Sequence, residues 1–138
     1  MKREMELAGK RARAVLSPAP DLREILMVNI TVWLQLVEEH GPLLNRLLFG
    51  HDVASAIAAD VNARSTRAWA GVLRKAVDIS DAQAEILARL YLAALRGAVE
   101  ALEKGLAPLD EIASIFTTIA LAGAHAVAEP GRGCRNKK

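Results

Sequence analysis

The sequence predicts an all-α protein, with about six helices in an antiparallel bundle and the last two helices forming a four-helix dimer interface. Hydrophobic residues make up 52% of the 138 residues but aromatic residues only 4%, and Ala and Leu dominate. Such a composition favours helices that pack closely through small side chains. Apolar residues also recur at helical spacing, and capping or helix-breaking residues separate the segments. Together these features predict helices and no strand.

In the first half of the chain, residues 1–16 predict a charged, weakly amphipathic helix that ends at a Ser-Pro-Ala-Pro sequence, because proline breaks helices. Asp21 begins the second helix, and Glu24 three residues later completes a capping-box pattern. The centre of this helix, residues 25–37, carries no charge, which predicts a helix buried on most sides. A short helix over 42–49 follows.

Three further helices are predicted in the second half. The first covers about 52–77. Ser80 and Gln83 form a second capping pair, and the helix behind them ends before Gly105. The last helix covers about 108–128, with acidic residues suited to the positive end of its dipole.

Charge separates the two ends of the chain from its middle. Residues 1–16 carry five Lys or Arg and two Glu, and residues 129–138 carry four and one, whereas the stretch between them carries nine basic and thirteen acidic residues. A nucleic-acid surface needs clustered Lys and Arg, and the middle has no such cluster. We therefore predict one domain over 1–128, in which 1–16 is a linker-type helix, and a disordered basic tail over 129–138.

Cysteine usage and hydropathy predict a cytoplasmic protein. Cys134 is the only cysteine, so one chain can form neither a disulfide nor a cysteine-based metal site, which favours a reducing compartment. Met1 is followed by charged residues and not by the short apolar run of a signal peptide. The charge-free stretch 112–128 is slightly short for a membrane span and contains polar residues, so we expect a buried helix and no membrane partner.

Motifs for catalysis, cofactors and metals are missing from the sequence. It has no phosphate-binding loop, no nucleophile elbow and no Glu-x-x-His pair, and the histidines His40, His51 and His125 fall on or beside different helices. We predict no enzyme activity, no cofactor and no metal site. The alternative of an enzyme requires an acid/base pair that converges in a cleft.

Several neutral polar and aromatic residues lie within otherwise apolar helices, and their spacing places them on shared faces. A buried amide needs a hydrogen-bond partner, either a neighbour or a ligand. One interpretation is a core with satisfied polar groups. The other is a cavity for a small, largely apolar, neutral ligand, although Arg64 and Arg67 would also allow an anionic ligand to bind. The predicted ligand-binding residues are Asn29, Trp33, Asn62, Ser65, Trp69, Tyr91 and Phe116.

The last two helices are rich in small residues, and the final one has almost no polar face from 112 to 127. In a chain of this size an apolar surface helix indicates a partner, and two helices from each of two chains could form a two-fold interface. The alternative is a C-terminal helix buried within a monomer. The predicted dimer-interface residues are Leu90, Ala93, Gly97, Ile119, Ala120, Gly123 and Ala126.

Three segments resemble the C-terminal domains of TetR-family transcriptional regulators. Residues 22–50 resemble an apolar helix that ends in a Glu-Glu-His-Pro-like turn before a short Leu-rich helix. Residues 86–105 and 109–128 resemble the closing helix pair, with Arg-Gly inside the penultimate helix and Asp-Glu-Ile-Ala at the start of the last. The resemblance implies an effector-binding and dimerisation domain, with a pocket among the middle helices and a homodimer through the closing pair.

The same resemblance implies a role in transcription regulation, as part of a repressor. Residues 1–16 match the helix that joins the two halves of such regulators, but the N-terminal helix-turn-helix half is absent from the sequence. Because a recognition helix is needed to read the major groove, we expect DNA binding only in a protein that has this half. The alternative is a stand-alone helical dimer that binds another protein without a ligand.

Overall fold

The computed structural model describes residues 2–41 and 55–128, and every regular element in these ranges is an α-helix. The all-helical prediction is confirmed, with five helices rather than six in the described ranges. The short helix predicted at 42–49 and the tail predicted at 129–138 lie outside them. The helices are α1 (Lys2–Val15), α2 (Leu22–His40), α3 (Ser55–Ala76), α4 (Asp81–Glu103) and α5 (Leu109–Ala128).

The predicted capping residues begin both α2 and α4. Ser80 and Gln83 form the complete reciprocal capping box, with distances of 3.1 Å and 2.9 Å. At α2 only half of the expected box is present, since the Asp21 carboxylate accepts from the Glu24 amide at 2.8 Å. The Glu24 carboxylate instead accepts from the backbone and hydroxyl of Ser17, at 2.6 Å and 2.9 Å. The acidic residue thus fixes the preceding loop.

A tight turn at Gly105 joins α4 to α5. Gly105 has a φ of 66°, in the left-handed region that favours glycine. Its amide donates to Leu102 O, and the Leu106 amide donates to Ala101 O at 3.0 Å, which is the Schellman pattern of helix termination. This turn fixes how the two closing helices follow one another.

The helices pack as a bundle in which α2 contacts α1, α4 and α5. Its uncharged centre supplies fully buried leucines, including Leu26 and Leu34. Two apolar clusters form the core, and α2, α4 and α5 contribute to both. The first cluster also includes α1, and the second also includes α3. Phe116 packs against both clusters, so it lies where they meet.

Candidate functional site

Tyr91 on α4 is the centre of an aromatic cluster. Its side chain is buried, and its hydroxyl donates to Ala120 O on α5 at 2.5 Å. The Trp69 ring lies edge-on to the Tyr91 ring, with 6.2 Å between centroids. The centroid of the Phe116 ring lies 6.3 Å from that of Tyr91, and the two ring planes are 64° apart. Both are favourable edge-to-face geometries. The cluster therefore links α3, α4 and α5 through one buried phenol.

A small cavity, here called the aromatic cavity, lies beside this cluster. All seven residues predicted for ligand binding line it, although no bound molecule tests that role. They come together because residues three or four positions apart, such as Asn29 and Trp33 on α2, share the side of their helix that faces the bundle. The sequence reasoning missed three aliphatic lining residues. In the described part of the chain the lining consists of Asn29, Ile30, Trp33, Asn62, Ser65, Trp69, Tyr91, Leu92, Leu95 and Phe116.

The composition of the aromatic cavity is unusual for this chain. The whole sequence has two Trp, two Phe and one Tyr, and four of these five aromatic residues line the cavity. Its volume is only about 50 Å³, which is room for a few water molecules. The cavity thus gathers nearly all the aromatic surface of the protein around a very small space.

Polar groups at the aromatic cavity retain hydrogen-bonding capacity. The Asn29 side-chain amide donates to Ile25 O in its own helix at 2.8 Å, so a backbone carbonyl is the partner that its mid-helix position requires. Within residues 2–41 and 55–128, no donor contacts Asn29 Oδ1. Over the same ranges no hydrogen bond involves the Ser65 hydroxyl or either indole N–H. These groups can orient a ligand.

The electrostatics of the aromatic cavity favour a neutral ligand. Tyr91 is the only ionisable residue among the described residues of its lining, and burial raises the pKa of Tyr91 to about 12 because it penalises the phenolate. The anion interpretation loses support, since Arg64 and Arg67 are exposed and neither lines the cavity. Arg64 instead pairs with Asp60 at 3.1 Å on the surface of α3.

Metal-binding geometry is not found in the described part of the chain. No group of three His, Cys, Asp or Glu side chains there could hold a metal ion. His40 and His125 are exposed on α2 and α5, and His51 lies outside the described residues.

A second concave surface, here called the apolar groove, runs between α4 and α5 with a volume of about 590 Å³. Glu111 is the only charged residue in the described part of its lining. Leu90 is 58% exposed and Ile119 67% exposed, so large aliphatic side chains face solvent in the single chain. The groove is lined by Leu87, Leu90, Tyr91, Ala94, Gly97, Ala98, Ala101, Leu106, Ala107, Glu111, Ile112, Ile115, Phe116, Ile119, Ala120 and Gly123.

The residues predicted for dimerisation fall into three groups. Leu90, Gly97, Ile119 and Gly123 line the apolar groove, and no atom lies within 4 Å of a Cβ built on either glycine. Ala93 and Ala126 are exposed but lie outside the lining. Ala120 also lines the groove, but it is only 4% exposed and packs in the core beside Tyr91, so its side chain offers little surface to a partner.

Two exposed isoleucines on α4 and α5 were not predicted from the sequence, because the prediction of the interface gave most weight to small residues. Ile86 is 56% exposed and Ile115 53% exposed. Each precedes a predicted interface residue by four positions, Leu90 and Ile119 respectively, so each continues the same helical face. That spacing is the signal that could have identified them.

Helix α5 is long and apolar enough to cross a membrane by length and composition, and 28% of its apolar window is buried within the bundle. Most of its surface is therefore available to another apolar surface. Ser114 and Thr118 on this helix form a side-chain to backbone hydrogen bond of 2.8 Å, which satisfies the Thr118 hydroxyl locally.

Comparison with known proteins adds no relative. No family model, curated protein or solved structure matches the chain. The resemblance to TetR-family domains therefore rests on the sequence segments described above.

Proposed function

We propose that residues 1–128 form an effector-binding and dimerisation domain of a TetR-like transcriptional repressor. The observation that carries the ligand-binding part is the convergence of seven residues, chosen by helical spacing alone, on one uncharged cavity. The role in repression rests on the resemblance of residues 22–50, 86–105 and 109–128 to that family. DNA binding would belong to a helix-turn-helix half, and the location would be cytoplasmic.

The ligand class follows from the lining of the aromatic cavity. Aromatic walls favour a flat, apolar molecule, and the free acceptor and donor groups around Asn29 favour one or two hydrogen bonds. Among the described residues that line the space there is no cationic or anionic side chain, so burial of a charged ligand against them would be costly. We infer a small neutral aromatic molecule.

Tryptophan fluorescence tests this inference directly. The chain has two tryptophans and both line the cavity, so all indole emission reports on it. Benzyl alcohol should change the emission with saturation, and benzoate of similar size should not. Ser65→Leu fills the cavity and should abolish the response, whereas Ala63→Leu, at an exposed position on α3, should keep it. An equal response to alcohol and carboxylate would contradict the neutral-ligand assignment.

A second copy of this chain is the proposed occupant of the apolar groove. α4 and α5 have 23 and 20 residues. Two adjacent helices, each about 30 Å long and about 10 Å wide, offer roughly 600 Å² per copy, or roughly 1,200 Å² in a dimer, the lower end for stable interfaces. Glu111 carries the only charge among the described residues that line the groove, and the ion pairs Glu85–Arg89 and Arg96–Glu100 lie on the opposite face of α4. Such a lining gives no attraction to nucleic acid or anionic lipid.

Sedimentation equilibrium at micromolar concentration tests the dimer. Ile119→Glu should give a monomer, and Val15→Glu, which changes an equally exposed residue on α1, should leave the dimer intact. A monomeric unmodified protein would contradict the proposal. Flotation with neutral lipid vesicles that Ile119→Glu abolishes would assign the groove to a membrane instead.

The small volume of the aromatic cavity favours one competing function. A space of about 50 Å³ suits a packed core as well as a ligand site. The competing protein would be a stand-alone helical dimer that binds another protein without a ligand. It predicts the dimer results above together with no fluorescence response to any neutral aromatic compound.

A further inference from the structure

Two side chains are shared between the aromatic cavity and the apolar groove. Tyr91 and Phe116 line the aromatic cavity and also line the apolar groove. No other residue does so in the described part of the chain. These two rings therefore separate the space proposed for a ligand from the surface proposed for a second copy.

The two rings are held differently. Tyr91 is buried and its hydroxyl bonds to Ala120 O, so hydrogen bonding as well as packing fixes it. Phe116 is only half-buried and has no polar atom to anchor it. Its contacts are with apolar side chains of the two core clusters. Phe116 is thus the more easily displaced of the pair.

The volume of the aromatic cavity requires such a displacement. A cavity of about 150 Å³ is known to admit benzene, whereas this one has about 50 Å³. A ring-sized ligand must therefore move a wall. The apolar groove, at about 590 Å³, is the large adjacent space in the single chain. A second copy that packs into the groove would take up that space.

We propose that ligand entry and dimerisation compete through Phe116, a relation that rests on the proposed function. A ligand in the aromatic cavity moves the Phe116 ring toward the apolar groove, and the displaced ring removes part of the surface that a second copy covers. By linkage, the ligand binds the monomer more tightly than the dimer, and the dimer weakens as the ligand is added.

A cavity-filling variant tests the linkage without an identified ligand. Ser65→Leu adds aliphatic bulk to the cavity from α3, none of whose described residues lines the groove. We expect its dimer dissociation constant, measured by sedimentation equilibrium, to rise about tenfold, a usual size for coupling between two sites. Ala63→Leu, exposed on the same helix, should stay within about twofold. Equal shifts in the two variants, or a tighter Ser65→Leu dimer, would overturn the proposal.

A double-mutant cycle assigns the effect to Phe116. In a Phe116→Leu background the movable ring is gone, so Ser65→Leu should no longer change the dissociation constant. A full effect in that background would refute the role of Phe116. Circular dichroism melting checks each variant for folding, and the smaller Ser65→Val takes over the test if Ser65→Leu unfolds.

Benzyl alcohol provides the ligand arm of the experiment. It should weaken the unmodified dimer and leave Ser65→Leu unchanged. A saturable fluorescence response with a constant dimer would refute the linkage and leave the proposed function standing. A monomeric unmodified protein would remove both. A Ser65→Leu effect without any benzyl alcohol response would support the linkage and contradict the ligand class.

Discussion

The aromatic cavity and the apolar groove share two residues, Tyr91 and Phe116, yet they differ in size and chemistry. The cavity is small and lined by aromatic rings and neutral polar groups, and it lies among four helices. The groove is large and lined by aliphatic and small residues of α4, α5 and the turn between them. Under the proposed function, this difference in size and chemistry suits the cavity to a small molecule and the groove to a second copy of the chain.

The largest effect is expected from removing Tyr91, whose phenol lies between the aromatic cavity and the apolar groove. Tyr91→Ala should lower the free energy of unfolding by about 3–5 kcal/mol, since a buried aromatic side chain is lost from both surfaces. Tyr91→Phe keeps the ring and loses only the bond to Ala120 O, at a cost of about 1 kcal/mol. Urea denaturation followed by circular dichroism measures both. Equal losses would mean that the hydroxyl, rather than the ring, stabilises the bundle.

Alkaline pH should act on the same residue. Because burial raises the folded-state pKa of Tyr91 to about 12, above the value near 10 of an unfolded chain, its contribution is complete below pH 10 and is lost as the pH rises toward 12. The chain has one tyrosine, so its absorbance titration reports Tyr91 alone. A midpoint near 10 in the folded protein would contradict the buried phenol.

A glycine substitution should affect the groove and leave the cavity unchanged. No atom lies within 4 Å of a Cβ at Gly97, and alanine has the higher helix propensity, so Gly97→Ala should stabilise the monomer by up to about 1 kcal/mol. The added methyl should weaken the dimer, because Gly97 lines the groove. Thermal melting of the Ile119→Glu monomer isolates the first effect, and sedimentation measures the second. A dimer unaffected by Gly97→Ala would place this residue outside the interface.

The smallest effect is expected at α1, away from both spaces. The Arg11 guanidinium donates two bonds to the Glu39 carboxylate, at 2.9 Å and 3.1 Å, and these bonds hold the pKa of Glu39 below its ordinary value. This contribution is present above the unfolded-state pKa and is lost as the pH falls through the lowered folded-state pKa. Glu39→Gln should therefore change the melting temperature little at pH 7 and still less in acid. A large decrease would mean that α1 depends on this ion pair rather than on Ala8 and Ala12.

The seven residues chosen by helical spacing all line the aromatic cavity, because polar and aromatic residues three or four positions apart share one side of a helix. Asn29 and Trp33 are four residues apart, and the same rule groups Asn62, Ser65 and Trp69. The volume of the cavity could not be predicted, because it depends on the side-chain conformations of rings from four helices.

The side of α5 that faces the bundle was harder to predict, because a helix with almost no polar face has no alternation of polar and apolar residues to mark its buried side. Ala120, predicted for the dimer interface, lines the groove but is only 4% exposed, and Ile115 was overlooked although it is exposed. Half of the capping box predicted at α2 is absent because of a contact that the sequence did not indicate. Glu24 had a competing partner in Ser17 that only the folded loop brings close.

Under the proposed function, the shared position of Phe116 has an evolutionary consequence. A substitution at a residue of one surface alone, such as Trp33 or Leu90, can be compensated by a change in the ligand or in the partner copy. A substitution at Phe116 alters both surfaces at once, so a compensating change in either one leaves the other impaired. Among descendants of this sequence, adaptation to a new ligand should therefore proceed through α2 and α3, and Phe116 should be among the last residues to change.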